Sequence, residues 1–143
     1  MASIQMCTFT LDRYLFGVDV RQVQEVLRTQ PMTSVPLAPT LVRGLINLRG
    51  QIVTAFDLRE RLELPKREDG VQPVNVVLRR EDGAVALLVD DIGDVVEIDE
   101  AKLERPPHTL RGPAAEVVKW VVQRPGALLC VMDTARATGA VGE

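Results

Sequence analysis

The sequence predicts an all-β chain of about ten short strands, built as two packed half-domains. Three observations carry this. Hydrophobic residues make up 46% of the 143 residues and are mostly Val, Leu, Ile and Ala, with only 3% aromatics, a balance that favours strands. Apolar runs of strand length recur in pairs around turn chemistry at Arg49-Gly50-Gln51, Glu81-Asp82-Gly83 and Arg124-Pro125-Gly126. No connection carries a full crossover helix, which argues against a parallel βαβ architecture. About ten strands are too many for one small barrel at these lengths, so two half-domains are expected within one domain over residues 1–143.

The first strand is Cys7-Thr8-Phe9-Thr10-Leu11, whose alternation puts Cys7, Phe9 and Leu11 on one face. Asp12-Arg13 turns the chain and Tyr14 to Val18 returns. Asp19 and Gln22 have capping-box spacing, and Val20, Val23 and Leu27 share a helical face, so a short helix is expected there. Arg21, Gln22, Glu25 and Arg28 lie off that face, solvated unless a partner covers them. Pro31 and Pro36-Leu37-Ala38-Pro39 exclude helix and imply an extended connector, with a short strand near Thr33 to Pro36.

The stretch Leu41 to Leu58 reads as a hairpin, with strands Gly44 to Leu48 and Ile52 to Phe56. Asn47 and Gly50 suit a type I turn in which Gly50 takes positive φ as the bulge residue, and Arg49 stands at the tip. A guanidinium there is placed to meet a partner, and tips also carry arginine for solubility alone. Asp57 then caps a short helix, Leu58 to Leu62, stopped by Pro65, and Lys66 to Gly70 reads as a mobile polar loop.

Val74 to Leu78 and Ala84 to Val89 form the next hairpin, turned by Asp82-Gly83. Asp90 to Asp94 breaks the run before a strand at Val95 to Ile98, and Asp99 caps one helical turn that ends before Pro106-Pro107. The last hairpin joins Val117 to Gln123 with Ala127 to Met132 through a type II turn at Pro125-Gly126. Alternation puts Val118, Trp120 and Val122 on one face, so Trp120 is expected in the core. Asp133 caps a terminal helix that Gly139 should fray, which makes a hairpin followed by an Asp-capped short helix a repeated build, at Asp19, Asp57 and Asp133.

Chemistry-bearing constellations are thin. His108, the only histidine, lies between prolines and a loop with no acid or thiol at triad spacing, so it reads as solvated. Asp90, Asp91 and Asp94 lack the calcium-loop pattern, and no glycines cluster before a helix to cradle phosphate. No cofactor or metal is expected. Cys7 and Cys130 sit alone in apolar strand patterns and read as buried reduced thiols. Arg59-Glu60-Arg61 and Lys66-Arg67 are interleaved with acids and read as solvated surface. A net charge of -3 and scarce aromatics oppose a nucleic-acid partner. With no signal peptide and no run of spanning length, a soluble cytoplasmic protein without membrane insertion is expected. A protein-binding scaffold is the class that remains.

Four blocks support that class. Arg43-Gly44-Leu45-Ile46-Asn47-Leu48-Arg49-Gly50-Gln51-Ile52-Val53 and the following Phe56-Asp57-Leu58-Arg59 resemble the central motif of the CheW family of chemotaxis coupling proteins. Gly17-Val18-Asp19 with Val23-Gln24-Glu25-Val26, Leu87 to Val95, and Leu128 to Asp133 match in the family's order. The resemblance implies two packed five-stranded SH3-like barrels without catalytic activity. It implies an adaptor joining the cytoplasmic hairpin tip of a chemoreceptor to the regulatory domain of a CheA-type histidine kinase, a domain of the same fold. A paralogue that binds only one of these and caps or modulates arrays is the alternative. Carried over by motif, the contact residues are Val23, Glu25 and Val26 in the first helix region and Arg43, Gly44, Asn47, Leu48, Arg49 and Gly50 in the hairpin, the two glycines allowing close backbone approach. The terminal turn Arg124-Pro125-Gly126 departs from the acidic or glycine-rich turn that family members often show.

Overall fold

Paired apolar runs become paired strands, and the pairing is long-range. The computed structural model describes residues 2–139. In chain order the strands are β1 (Ser3–Leu11), β2 (Tyr14–Asp19), β3 (Val23–Leu27), β4 (Val42–Leu48), β5 (Gln51–Asp57), β6 (Val74–Arg80), β7 (Gly83–Val89), β8 (Asp91–Asp99), β9 (Val118–Arg124) and β10 (Ala127–Met132). Short helices α1 (Leu58–Arg61), α2 (Pro113–Glu116) and α3 (Thr134–Ala137) and two 3₁₀ turns, Val20–Gln22 and Glu100–Lys102, fill the connections.

The strands form two five-stranded sheets, β8-β1-β2-β10-β9 and β3-β6-β7-β5-β4. Each holds one parallel pair, β2 with β10 and β5 with β7. Each sheet then rolls up through a single bridge beyond its outer strand: Thr33 exchanges backbone bonds with Leu45, and Glu104 with Val121. The sheets are copies of one plan. Hairpin β1-β2 plays in the first the part of β6-β7 in the second, β8 the part of β3, and β9-β10 the part of β4-β5. Even single bonds repeat, since the amide of Asp57 donates to Leu41 and that of Asp133 to Val117. Each half of the chain therefore lends its first hairpin to the other half's barrel: β3 to β7 make one barrel from a continuous segment, Val23 to Val89, and the flanking β1-β2 and β8-β10 make the other.

Three apolar clusters follow. Phe9, Leu11, Phe16 and Val18 from one sheet and Val76, Leu78, Leu87 and Val89 from the other meet in a core between the barrels, joined by Leu58, Leu62 and Met132. Ile46, Leu48, Val53, Ala55, Val77 and Ala86 fill one barrel, and Met6, Ile98, Val122, Leu129 and Val131 the other. On β6, Val76 and Leu78 face the shared core while Val77 faces the barrel interior, which is why this strand reads as a continuous apolar run. Phe9 and Phe16, paired across β1 and β2, stack at 5.9 Å between centroids. Burying each contributes about 1.5–3 kcal/mol.

The Asp caps at Asp57, Asp99 and Asp133 form as read, the carboxylates accepting from the amides of Arg59, Ala101 and Arg136. At Asp19 the expected helix stops after Val20–Gln22, and Val23 to Leu27 is strand β3, pairing Val26 with Val76. A ladder with β6 outweighs the local cap, as the β-branched valines favour. β3 thus supplies the tenth strand, and the region Thr33 to Pro36 contributes only the Thr33 bridge. The break at Asp90 to Asp94 shrinks to a bend at Asp90: β8 runs from Asp91, kinked at Gly93, where a Cβ would sit 2.6 Å from Thr8 Oγ1. Trp120 is 39% exposed, because a register shift opposite Val131 and Met132 turns Lys119 and Trp120 outward together. The β4-β5 turn is the two-residue type I′ form, with Arg49 at φ 52° and Gly50 at φ 86° between paired Leu48 and Gln51. Helix α2 carries no capping side chain and was not expected. Cys7 and Cys130 are free and buried. Helix α3 ends at Ala137, and the fraying expected beyond Gly139 lies outside the described residues.

Candidate functional site: a hairpin tip and two edge strands

The hairpin β4-β5 projects Arg49 at its tip, and Asn47 shapes the turn by accepting the Gly50 amide at 2.9 Å. Arg49 is engaged: Nη1 and Nη2 donate to the two carboxylate oxygens of Glu25 at 2.7 and 2.6 Å. That paired geometry ties the tip to β3 across the open side of the barrel. The Arg49 hydrogen bonds hold the Glu25 carboxyl below its ordinary range, and Glu25 raises Arg49 in turn. The pair lies at the surface, so it presents a fixed, nearly neutral polar unit rather than a free cation.

Around this unit the residues expected at the site divide by burial. Val26 is 40% exposed on β3, and Val23, partly buried, packs on the shared core. Arg43, Asn47, Arg49 and Gly50 are exposed, whereas Gly44 is buried and Leu48 lies inside the barrel. Leu48 anchors the hairpin from below. Close approach is real at Gly44, where a Cβ would stand 2.8 Å from the Thr33 carbonyl and 3.1 Å from Met32 Cβ. At Gly50 nothing lies within 4 Å of such a Cβ, and glycine serves its positive φ instead.

The duplication identifies residues that sequence reading missed. Val23 pairs with Leu78 and Val26 with Val76 on β6, and on the equivalent β1 the partners of Phe9 and Cys7 are Ile92 and Val95. Between them Glu25 corresponds to Asp94, whose carbonyl accepts from Thr8 Oγ1. Ile92 and Val95 are exposed, Val95 at 55%. Each barrel thus shows a bulged edge strand with an outward acid and valine. Hydrophobic periodicity could not reveal this on β8, because three acids and Gly93 interrupt the run. Ile52, beside the tip, is also exposed.

Beneath α1 lies a second charged group, and it corrects the reading of the arginines as solvated. Arg59 donates from Nε and Nη2 to both Asp90 oxygens at 2.8 and 2.6 Å and from Nη1 to the Pro65 carbonyl at 2.7 Å. Arg67 is nearly buried, with Nη1 donating to Asp57 Oδ1 at 3.2 Å and Nε 3.2 Å from Asp90 Oδ1. Arg43 closes on Asp57 Oδ2 at 3.2 Å, and the Asp12 amide donates to Asp90 Oδ2 at 2.6 Å. Burial works to raise the Asp90 carboxyl, but hydrogen bonds from Arg59 and the Asp12 amide outweigh it and hold the group low. Arg59 and Arg67 therefore face acids brought from other parts of the chain, and the loop carrying Arg67, expected to be mobile, is pinned. Arg61 likewise donates to the Arg136 carbonyl on α3.

These groups hold structure and offer no reacting centre. Among the described residues no three His, Cys, Asp or Glu side chains converge as metal ligands, and His108 is exposed. Among the described residues no helix is long and apolar enough to cross a membrane either. Burial pushes the Cys130 thiol up to about 11 and raises Cys7.

Comparison with known proteins accounts for this arrangement. The model of the CheW-like domain matches residues 5–140. The chain is 31% identical to "Chemotaxis protein CheW" of Treponema pallidum over 133 residues, covering 90% of this chain and 78% of that one. It is 28% identical to "Chemotaxis protein CheW" of Bacillus subtilis over 129 residues, covering 90% and 83%. Among solved structures, the scaffolding protein TtCheW of Thermoanaerobacter tengcongensis superposes with a TM-score of 0.82 at 26% identity, covering 92% of this chain and 89% of that one. With its paired barrels, exchanged hairpins and exposed Arg49 tip, the chain belongs to the CheW-like domain family.

Proposed function

We propose that this chain is a non-enzymatic chemotaxis adaptor that couples chemoreceptors to a CheA-type histidine kinase, and that both bulged edge strands and the β4-β5 tip make the contacts. Family membership supports the coupling role. The single observation that carries the surface is the exposed apolar and acidic edge of β3, Val26 with Glu25, locked to Arg49. A receptor's helical tip offers apolar ridges flanked by charge, and exposed valines beside a preformed ion pair suit such a ridge. A preformed pair also lowers the ordering entropy of binding, because Arg49 is already held in one rotamer. β8 repeats the same chemistry with Asp94 and Val95, so a helical hairpin with two similar faces could meet both strands.

Titration with a receptor hairpin-tip fragment, read by amide chemical shifts, tests this. Shifts on β3, β8 and the tip are expected, and Val26→Asp should weaken binding at least tenfold without unfolding the chain. Shifts confined to other surfaces, or unchanged affinity in folded Val26→Asp, would overturn the assignment.

A further inference from the structure

The two bulged edge strands repeat in backbone but not in charge. On β3, Glu25 accepts two short hydrogen bonds from Arg49, the first residue of the turn between paired Leu48 and Gln51. The same place in the other barrel lies between paired Arg124 and Ala127, and Pro125 fills it. Asp94, which corresponds to Glu25, therefore lacks a cation from its own barrel tip. It is exposed, and among the described residues it joins no ion pair and its carboxylate accepts no hydrogen bond. Its own strand supplies no base either, since the chain carries no Lys or Arg from Glu81 to Ala101.

The backbone beneath this acid is nonetheless held. Phe9 pairs with Ile92 and Cys7 with Val95, so Gly93 and Asp94 together stand opposite Thr8, the two-against-one count of a bulge. Thr8 is buried and donates from Oγ1 to the Asp94 carbonyl at 2.6 Å. On β3 the residue opposite the bulge is Val77, which has no hydroxyl to give, and the ion pair with Arg49 does the holding instead. One edge thus fixes its acid by filling it, and the other fixes the backbone and leaves the acid open between exposed Ile92 and Val95.

We infer that Asp94 is the open half of an ion pair that a bound partner completes: an arginine on the partner's helical tip takes on β8 the part that Arg49 takes on β3. A guanidinium matches a carboxylate through two hydrogen bonds, and its aliphatic stem packs on Ile92 and Val95. The two barrels, alike in fold, then differ in what they accept. β3, its acid already neutralised, suits an uncharged face, and β8 suits a basic one, so charge fixes which way round a helical hairpin docks. The inference rests on the reading that a receptor tip meets both edges, and it names the chemistry that orients it.

The test is calorimetric titration of wild type, Asp94→Asn and Glu97→Gln with a receptor hairpin-tip fragment, and with versions of that fragment in which each Arg and Lys is replaced by Gln in turn. Glu97 is the control: it lies exposed on the same strand, its replacement removes the same charge, and glutamine still accepts from Ser3 Oγ. Asp94→Asn is expected to weaken binding about tenfold and Glu97→Gln less than about twofold. One arginine replacement in the fragment should weaken wild type as much as Asp94→Asn does, and the two changes together should cost no more than either alone. Asp94→Asn should melt as wild type does, because the carboxylate has no partner to lose in the free chain. Unchanged affinity in Asp94→Asn, equal losses in Asp94→Asn and Glu97→Gln, or additive losses with every fragment replacement would each overturn the inference and leave the coupling reading standing. A fragment that fails to bind wild type would overturn both.

Discussion

Replacing Arg59 by methionine isolates the ion network beneath α1. The guanidinium makes two short bonds to Asp90, one to the Pro65 carbonyl and a longer approach of 3.8 Å to Asp12, and its side chain is only 15% exposed. Methionine keeps most of the apolar stem but leaves Asp90 with the Asp12 amide and Arg67 alone. Breaking a fully buried pair costs about 3–5 kcal/mol, and partial solvent access here brings the figure to about 2–3 kcal/mol at neutral pH. For a chain of this length that lowers Tm by roughly 6–10 °C. The Asp90 carboxyl is held low in the folded protein, so its contribution is present above its unfolded value and is lost as pH falls through the folded value. The gap between wild type and Arg59→Met should therefore narrow under acid. Calorimetry from pH 7 to pH 3 measures it, and a gap below about 0.5 kcal/mol at pH 7, or one that does not shrink on acidification, would refute this account of the network.

Gly44→Ala drives a methyl into the Thr33 carbonyl at 2.8 Å, so the barrel bridge must shift; a loss of about 1–3 kcal/mol is expected from chemical denaturation. Asp57→Asn retains the helix cap but loses charge against Arg43 and Arg67, and its carboxylate is nearly buried, so a destabilisation of about 2–4 kcal/mol should appear in urea melts. Cys130, its thiol pushed up to about 11 by burial, should react with a thiol reagent at pH 8 only at the rate of unfolding, and Cys7 should follow it; rapid reaction in the native state would contradict their burial.

Turn chemistry and caps act within a few residues, which is why the hairpins at Gly50, Gly83 and Gly126 and the caps at Asp57, Asp99 and Asp133 were legible in the sequence. Val23 to Leu27 was not, since its valines fit either period and only pairing with β6, about fifty residues away, decides the matter. Trp120 was misplaced for a related reason: strict alternation assumes an unbroken register, and the ladder shifts beside it. Arg59 and Arg67 read as surface because the acids they meet, Asp90 and Asp12, come from distant parts of the chain. At the site, Arg49 was legible as a tip residue, while its partner Glu25 looked like one face of a helix. The equivalence of Val26 and Val95 is only faintly written in the sequence, as Val23-Gln24-Glu25-Val26 against Ile92-Gly93-Asp94-Val95, and it is the matched strand registers that establish it.

The coupling account rests most directly on the Arg49 to Glu25 unit, and co-sedimentation with receptor signalling tips and CheA-type kinase, each alone and both together, tests it. Wild type should assemble with both, and Arg49→Glu should lose ternary assembly while keeping its fold and its Tm, because the pair is exposed and adds little to stability. A folded Arg49→Glu protein that still enters the ternary complex as wild type does would contradict the account.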